Sequence, residues 1–149
     1  MTLFHLCGFI SNIPQNYFPI IHGHNVGDEV LKILVSRMRN AVRRGTVIAG
    51  YGGEEFIVML PGIGSKGAEE VALRINRTIA ATPFSVDSLK LQISASVGVC
   101  SKKDESPLLE IIDNVGAALY TAKNSGRNTV VSCTELGSGS CVRNASTPP

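Results

Sequence analysis

The spacing of apolar and polar residues divides the chain into segments of helix and strand length. Leu3 to Ile10 is a short apolar run, which predicts a buried strand. From Val26 toward Arg44 the apolar residues recur at helical spacing, and the same spacing returns between Ser65 and Pro83. We therefore expect two amphipathic helices, the second of them capped by Ser65 and ended before Pro83.

Shorter patterns predict the remaining strands. Thr46–Ala49 and Phe56–Leu60 flank Gly52-Gly53 and predict a hairpin around these glycines. Leu89–Val99 alternates strictly between apolar and polar or small residues, which predicts one strand with a face in water. Thr129–Ser132 can form a last strand.

A third helix is predicted from Leu108 toward Gly126, with Ser106 as its N-cap and Pro107 at its first position. The resulting order is β-α-β-β-α-β with a further helix and strand. This order predicts a single-domain α/β fold in which helices flank a mixed central β-sheet. We expect the domain to occupy residues 1–132, and the Ser, Gly, Thr and Pro content from Cys133 onward predicts a flexible tail over 133–149.

Composition narrows the class of protein. A length of 149 residues with 44% hydrophobic residues suits one globular domain. The net charge of +2 comes without a basic block, so nucleic acid is not the expected partner. No apolar stretch reaches the ~20 residues of a membrane span, so we expect no membrane insertion by this segment. The cysteines form no C-x-x-C pair and predict reduced thiols in a cytoplasmic domain; they are Cys7, Cys100, Cys133 and Cys141.

The sequence YGGEEF, Tyr51 to Phe56, places two glycines and two adjacent carboxylates between two apolar runs. Glycines supply the positive φ that tight turns need, and acidic side chains favour water, so a solvated hairpin turn is one interpretation. A site for a cation and phosphates is the other. Taken alone, the two acids are more often turn residues, and the choice depends on the other motifs in the chain.

Three motifs occur in series: GHNVGDEV at Gly23–Val30, YGGEEF at Tyr51–Phe56, and ALYTAKNSGRN at Ala118–Asn128. Together with SASVGV at Ser94–Val99, they resemble the GGDEF family of diguanylate cyclases in its GGEEF form, over about residues 23–132. The resemblance implies a nucleotide-cyclase-like fold. It also implies the condensation of two GTP molecules into cyclic di-GMP and pyrophosphate, with each nucleotide held on one of two domains that meet face to face.

The resemblance also assigns roles to the residues of the hairpin. It implies that Glu54 is a ligand for Mg²⁺ or Mn²⁺ and that Glu55 assists at the metal or at the attacking hydroxyl. Gly52 and Gly53 leave space for nucleotide beside the hairpin. The carboxylates suit such a site because divalent ions neutralise the triphosphate in the transition state.

Three further residues match the family pattern. Asp28 matches the acid that pairs with the guanine edge, while Lys123 and Arg127 match the basic pair that holds phosphates, on one helical face or at the helix exit. Taken singly, Asp28 is more often a first-turn helix acid, and the basic pair is more often a set of C-terminal helix charges. His22 and His24 receive no chemical role.

The first 22 residues diverge from the family pattern. Without a gap, the family's D-x-D strand end falls on Ser11-Asn12-Ile13 and its guanine-binding Asn falls on Pro19. No Asp, Glu, Lys or Arg precedes Asp28, so the strand acid that would share the metal with Glu54 is missing. The acid of the inhibitory R-x-x-D motif is also absent, since the motif falls on Arg43–Thr46. Natural divergence and a shifted upstream reading frame both remain open explanations.

Two functions follow from this comparison. The first is a diguanylate cyclase domain of bacterial second-messenger signalling, with weak metal binding and impaired turnover. The alternative is a degenerate, inactive domain that binds GTP or a protein partner as a signalling module. The expected partners are GTP, a second GGDEF domain in a transient homodimer, and an upstream sensor domain outside this chain.

Overall fold

The computed structural model describes residues 4–11, 23–101 and 107–133. The described helices are α1 (His24–Ala41), α2 (Ser65–Ala80) and α3 (Leu108–Asn124). The described strands are β1 (Phe4–Ser11), β2 (Val47–Gly52), β3 (Glu55–Pro61), β4 (Phe84–Val86), β5 (Leu89–Leu91), β6 (Ala95–Ser101) and β7 (Val130–Ser132). The predicted α/β architecture with a mixed sheet is confirmed, and the short strand β4 is an addition to it.

The main sheet has five strands in the order β2-β3-β1-β6-β7. β1, which carries no charged residue apart from a histidine, lies at its centre and is antiparallel to both β3 and β6. β6 and β7 are parallel, so the sheet is mixed as predicted. The predicted hairpin is formed by β2 and β3, and β4 and β5 form a separate two-stranded sheet.

Helices cover both faces of the main sheet. Val58 and Leu60 of β3 belong to the larger buried cluster, which includes the apolar faces of α1 and α2. Ile57 and Met59, which point to the opposite face because strand side chains alternate, pack against the buried cluster that α3 contributes to. The three helical patterns in the sequence thus correspond to three helices. α2 and α3 pack on opposite faces of the main sheet, and α1 packs chiefly against α2 within the larger buried cluster.

The prediction of one strand over Leu89–Val99 with a wet face was wrong. The segment forms two strands, β5 and β6, in different sheets. In β6 the six residues from Ala95 to Cys100 are all buried, including Ser96. The reason is the close approach of α3: a Cβ on Gly98 would lie 2.7 Å from both the carbonyl oxygen of Val115 and the backbone nitrogen of Leu119.

Two helix starts differ from the sequence prediction. Gly64, not Ser65, is the N-cap of α2, and the hydroxyl of Ser65 lies 2.8 Å from the hydroxyl of Ser101 at the end of β6. Pro107 is the N-cap of α3 rather than its first residue, and its carbonyl accepts from the backbone nitrogen of Glu110. The predicted cap Ser106 lies outside the described residues.

The prediction of reduced thiols is contradicted for one pair of cysteines. Cys100 and Cys133 are joined in a disulfide, with their Cα atoms 4.8 Å apart. They are 33 residues apart in sequence, but β6 and β7 are parallel neighbours with Val99 paired to Ser132. Cys100 and Cys133 directly follow this pair and therefore lie side by side.

Two further expectations concern the whole chain. No helix in the described part is long and apolar enough to cross a membrane. The predicted tail, 133–149, lies outside the described residues except for Cys133.

Candidate functional site

The termini of four strands meet at one end of the main sheet. Ile10 of β1 is paired with Glu55, the first residue of β3, and on its other side with Ser96 of β6. The parallel register of β6 and β7 brings Thr129 beside Ser96. Since neighbouring strands lie about 4.8 Å apart, the row from Glu55 to Thr129 spans about 14 Å. We call this the Glu55 end of the sheet.

The YGGEEF motif forms the tight turn at this end. Gly53 and Glu54 are the turn residues between β2 and β3, and Gly52 and Gly53 have φ values of 153° and 55°. A Cβ added to Gly52 would meet nothing within 4 Å, so there is open space beside this glycine. Glu54 and Glu55 are both half-buried, which differs from the exposure expected of acids on a fully solvated turn.

The orientation of α1 brings Asp28 toward the same end. Arg43, just after α1, donates to the carbonyl of Pro61 at the far end of β3. α1 runs antiparallel to α2, because Arg74 donates to the Ala41 carbonyl and Arg37 donates to the Ile79 carbonyl. Since α2 runs from the Ser101 end of β6 toward its Ala95 end, the first half of α1 extends toward the Glu55 end. Asp28 is the fifth residue of α1 and is exposed, and no acidic residue lies in the first turn. The alternative of a first-turn acid is therefore wrong for Asp28.

The residues next to Asp28 form a local ion pair. Lys32 donates to Glu29 at 2.7 Å on the exposed face of α1. This hydrogen bond, with the charge of Glu29 and a smaller contribution from Asp28, raises the pKa of Lys32. Asp28 itself is exposed, and it has no salt-bridge partner among the described residues.

The end of α3 supplies the basic pair. Lys123 is half-buried in the last turn, and Arg127 is exposed three residues beyond the helix end. Arg127 donates its backbone N–H to the carbonyl of Ala122, and Gly126 has φ 105°. These are the features of a Schellman ending. Of the two predicted placements, a shared helical face or the helix exit, the structure has Lys123 on the helix and Arg127 at its exit.

The exit turn of α3 has an unusual backbone. Arg127 and Asn128 follow Gly126 and also have positive φ, at 62° and 46°. Such values are uncommon for residues with a Cβ, and Asn tolerates them better than Arg. Two residues later the chain enters β7. The turn that carries Arg127 therefore lies at the Glu55 end of the sheet.

Asn76 of α2 is a residue of this region that the sequence interpretation missed. Its side-chain nitrogen donates to the carbonyl of Ala95 at 2.7 Å and to Oδ1 of Asn128 at 3.2 Å, and the residue is 2% exposed. The available signal was an amide on the apolar face of an amphipathic helix, between the buried residues Ala72 and Ile79. A buried amide there requires hydrogen-bond partners from another element.

The acidic residues at this end offer few ligands for a metal ion. Within residues 4–11, 23–101 and 107–133, no group of three or more His, Cys, Asp or Glu side chains is placed to hold a metal ion. The sequence has no acid before Asp28, so β1 cannot add a carboxylate to Glu54 and Glu55. Mg²⁺ demands near-octahedral oxygen coordination. The donor set does not fit a tightly held divalent cation.

The family model for the diguanylate cyclase GGDEF domain matches residues 20–129. The chain belongs to the GGDEF domain family. Diguanylate cyclase A of Treponema denticola is 35% identical to this GGDEF domain over 123 residues, which is 82% of this chain and 32% of that protein. Diguanylate cyclase DgcP of Pseudomonas aeruginosa is 35% identical over 106 residues, 71% of this chain and 16% of that protein. The chain thus spans about a third or less of the length of these relatives.

Solved structures confirm the nucleotide-cyclase-like fold. The GGDEF domain of DgcB from Caulobacter crescentus in complex with c-di-GMP has a TM-score of 0.80 at 25% identity, covering 88% of this chain and 78% of that one. The active GGEEF domain of a diguanylate cyclase from Vibrio cholerae has a TM-score of 0.79 at 25% identity, covering 90% and 85%. The resemblance seen in the three sequence motifs is confirmed.

Proposed function

We propose that this domain binds GTP at the Glu55 end of the sheet and acts as a diguanylate cyclase of reduced turnover. The observation that carries the proposal is the placement of two motifs on one row of strand ends. The hairpin with Glu54 and Glu55 lies at one end of that row, and the α3 exit with Lys123 and Arg127 lies near the other. A separation of about 14 Å leaves room for a nucleotide between them.

The proposed roles follow from the chemistry of each group. Arg127 and Lys123 donate charge-assisted hydrogen bonds to phosphate oxygens, and Arg suits this role through its planar fork of donors. Asp28 accepts from the guanine edge, since an ionised carboxylate is an acceptor only. Glu55 lies beside the attacking hydroxyl. Gly52 and Gly53 have no side chains that would fill the space beside the hairpin in which the nucleotide binds.

The reaction requires a second copy of the domain. In each half-reaction, a ribose 3′ oxygen of one GTP forms a bond to the α-phosphorus of the other, and the bond to pyrophosphate breaks. Two such steps close the ring of cyclic di-GMP and release two pyrophosphates. Because each domain holds one nucleotide, we propose a transient homodimer, and since GTP is a cytoplasmic nucleotide we place the domain in the cytoplasm.

The reduced turnover follows from the acidic donor set. Enzymes of this family generally use Mg²⁺ or Mn²⁺. In this chain Glu54 is the proposed metal ligand, without a partner acid from β1. One carboxylate fewer removes a unit of negative charge facing the cation, so we expect weak metal binding and slow chemistry.

A binding module without chemistry is the second candidate. The missing strand acid favours it directly. A relative named as a cyclic di-GMP phosphodiesterase, NbdA of Pseudomonas aeruginosa, is 34% identical over 107 residues, 71% of this chain and 14% of that protein. The crystal structure of diguanylate cyclase SiaD with its activator SiaC, with a TM-score of 0.81 at 27% identity, offers a precedent for a protein partner. A sensor domain elsewhere in the full protein would be another such partner.

Purified protein distinguishes the two candidates. We would measure GTP binding by calorimetry and follow cyclic di-GMP and pyrophosphate by chromatography, with Mg²⁺ and separately with Mn²⁺. Product formation that is lost in Glu55→Gln supports the cyclase, and GTP binding without product supports the binding module. The absence of both GTP binding and product would contradict the proposed site. Glu70→Gln, an exposed acid on α2, is the matched control.

A further inference from the structure

A buried amide connects the candidate site to the body of the domain. Asn76 lies on α2, on the side of the sheet opposite α3, and donates both to the Ala95 carbonyl and to the Asn128 side chain. Because a backbone carbonyl only accepts, the nitrogen of the Asn76 amide must face Ala95. The two protons of that nitrogen then serve the two acceptors.

Both acceptors belong to the Glu55 end of the sheet. Ala95 is the first residue of β6 and is paired with Ser11, the last residue of β1. Asn128 follows Arg127 directly, in the turn between α3 and β7. One side chain therefore links the end of the central strands to the turn that presents the phosphate-binding arginine.

The exit turn needs such a contact. Gly126, Arg127 and Asn128 all have positive φ, and two of the three carry a Cβ. Residues in sparsely populated conformations persist only where surrounding contacts hold them. The Arg127 N–H bond to Ala122 fixes the start of the turn, and the Asn76 bond fixes its end at Asn128.

We propose that Asn76 is a positioning residue for phosphate recognition. By holding Asn128 in its left-handed conformation, the amide keeps the Arg127 side chain outside the helix and at the Glu55 end. This inference rests on the proposed function, since it assumes that Arg127 contacts the phosphates of GTP. It adds a residue on the opposite helix layer to a site otherwise built from the hairpin, α1 and α3.

The test compares single and double variants by calorimetry with GTP. Asn76→Ala should weaken GTP binding about fivefold to tenfold, the effect of losing one or two hydrogen bonds. In an Arg127→Ala background the same substitution should cause no further loss, because Asn76 acts through Arg127. Asn40→Ala, an exposed amide at the far end of α1, is the control and should leave GTP affinity unchanged.

A second measurement does not depend on nucleotide. Hydrogen exchange at the Arg127 amide should speed up at least fivefold in Asn76→Ala and in Asn128→Ala, since both remove the same bond. Asn128→Ala also keeps the test valid if Asn76→Ala does not fold, because Asn128 is only half-buried.

The outcomes separate the inference from the proposed function. An equal loss of GTP affinity on adding Asn76→Ala to wild type and to Arg127→Ala would make Asn76 merely structural. Unchanged exchange at Arg127 in the folded variants would also overturn the inference. If wild-type protein binds no GTP while exchange responds as expected, the proposed function fails but the restraint of the turn by Asn76 stands.

Discussion

Ile10 and Glu55 are paired across the antiparallel strands β1 and β3. This is the last pair between the two strands, and it is followed by Ser11, the last residue of β1, and preceded in β3 by the turn residue Glu54. Ser11 is also the position on which the first acid of the family's strand pattern falls without a gap. Position 11 is therefore where we would add a second carboxylate to the proposed site.

We expect Ser11→Asp to raise Mg²⁺-dependent cyclic di-GMP formation by about tenfold or more, because a charged group contributes ~1.5 to 3 kcal/mol when it gains a partner. Chromatography of the product under saturating GTP measures the gain. Ser11→Asn, which keeps the shape without the charge, should give none.

The double variant Ser11→Asp with Glu54→Ala tests whether the two positions act together. If they share the cation, the gain from Ser11→Asp disappears when Glu54 is removed. A gain of the same size in both backgrounds would show that position 11 acts independently of Glu54, which would contradict a shared cation site.

Arg127→Ala should weaken GTP binding by about tenfold, since charge-assisted contacts to phosphate are the strong ones. The loss should be similar with and without Mg²⁺, because in the proposed site the basic side chain faces the triphosphate while the cation lacks one of its acidic ligands. Calorimetry checks both conditions. Arg44→Ala, an exposed arginine just after α1 at the far end of the sheet, should bind as wild type. Unchanged affinity in Arg127→Ala would remove the α3 exit from the site.

Base selectivity should be weak in this domain. Asp28 can accept from the guanine edge, but Pro19 stands where the resemblance implies Asn and has no amide to contribute. A site lacking one polar partner discriminates poorly between bases. We expect ATP to compete for GTP within roughly tenfold, and Asp28→Ala to abolish the remaining preference. Glu29→Ala, next to Asp28 but paired with Lys32, is the control. Complete exclusion of ATP by wild-type protein would contradict this prediction.

The motifs name the candidate site residues, whereas the apolar pattern does not predict the contacts that hold them in place. Glu54 and Arg127 occur in recognisable stretches, so the sequence offers them as candidates without knowledge of the fold. Asn76 occurs in no such stretch, because its partners Ala95 and Asn128 lie 19 and 52 residues away along the chain. Hydrogen bonds between distant segments depend on the sheet register, which the sequence alone does not specify.

Periodicity predicted the helices well and β6 poorly, for a physical reason. Each helix buries one face, so its apolar spacing is visible in the sequence. β6 is buried on both faces, and its small residues Ser96 and Gly98 mimic the polar positions of a half-exposed strand. An alternating pattern cannot tell a small residue beneath a close helix from one that faces water. The Cys100–Cys133 pairing escaped prediction for a related reason, since it depends on the parallel pairing of β6 with β7.

The close packing at Gly98 leads to a stability prediction. A Cβ at this position would lie 2.7 Å from two backbone atoms of α3, at Val115 and Leu119, and backbone cannot move aside as a flexible side chain can. Gly98→Ala should therefore lower the free energy of unfolding by about 1 to 3 kcal/mol through overpacking.

Gly116→Ala is the matched control on α3 itself, because a Cβ there meets nothing within 4 Å and φ is not positive. That substitution should stabilise the domain by about 0.5 to 1 kcal/mol, since Ala is the better helix former. Urea denaturation of the two variants measures effects of opposite sign, and equal stability of Gly98→Ala and wild type would mean that α3 can shift away from β6 at little cost.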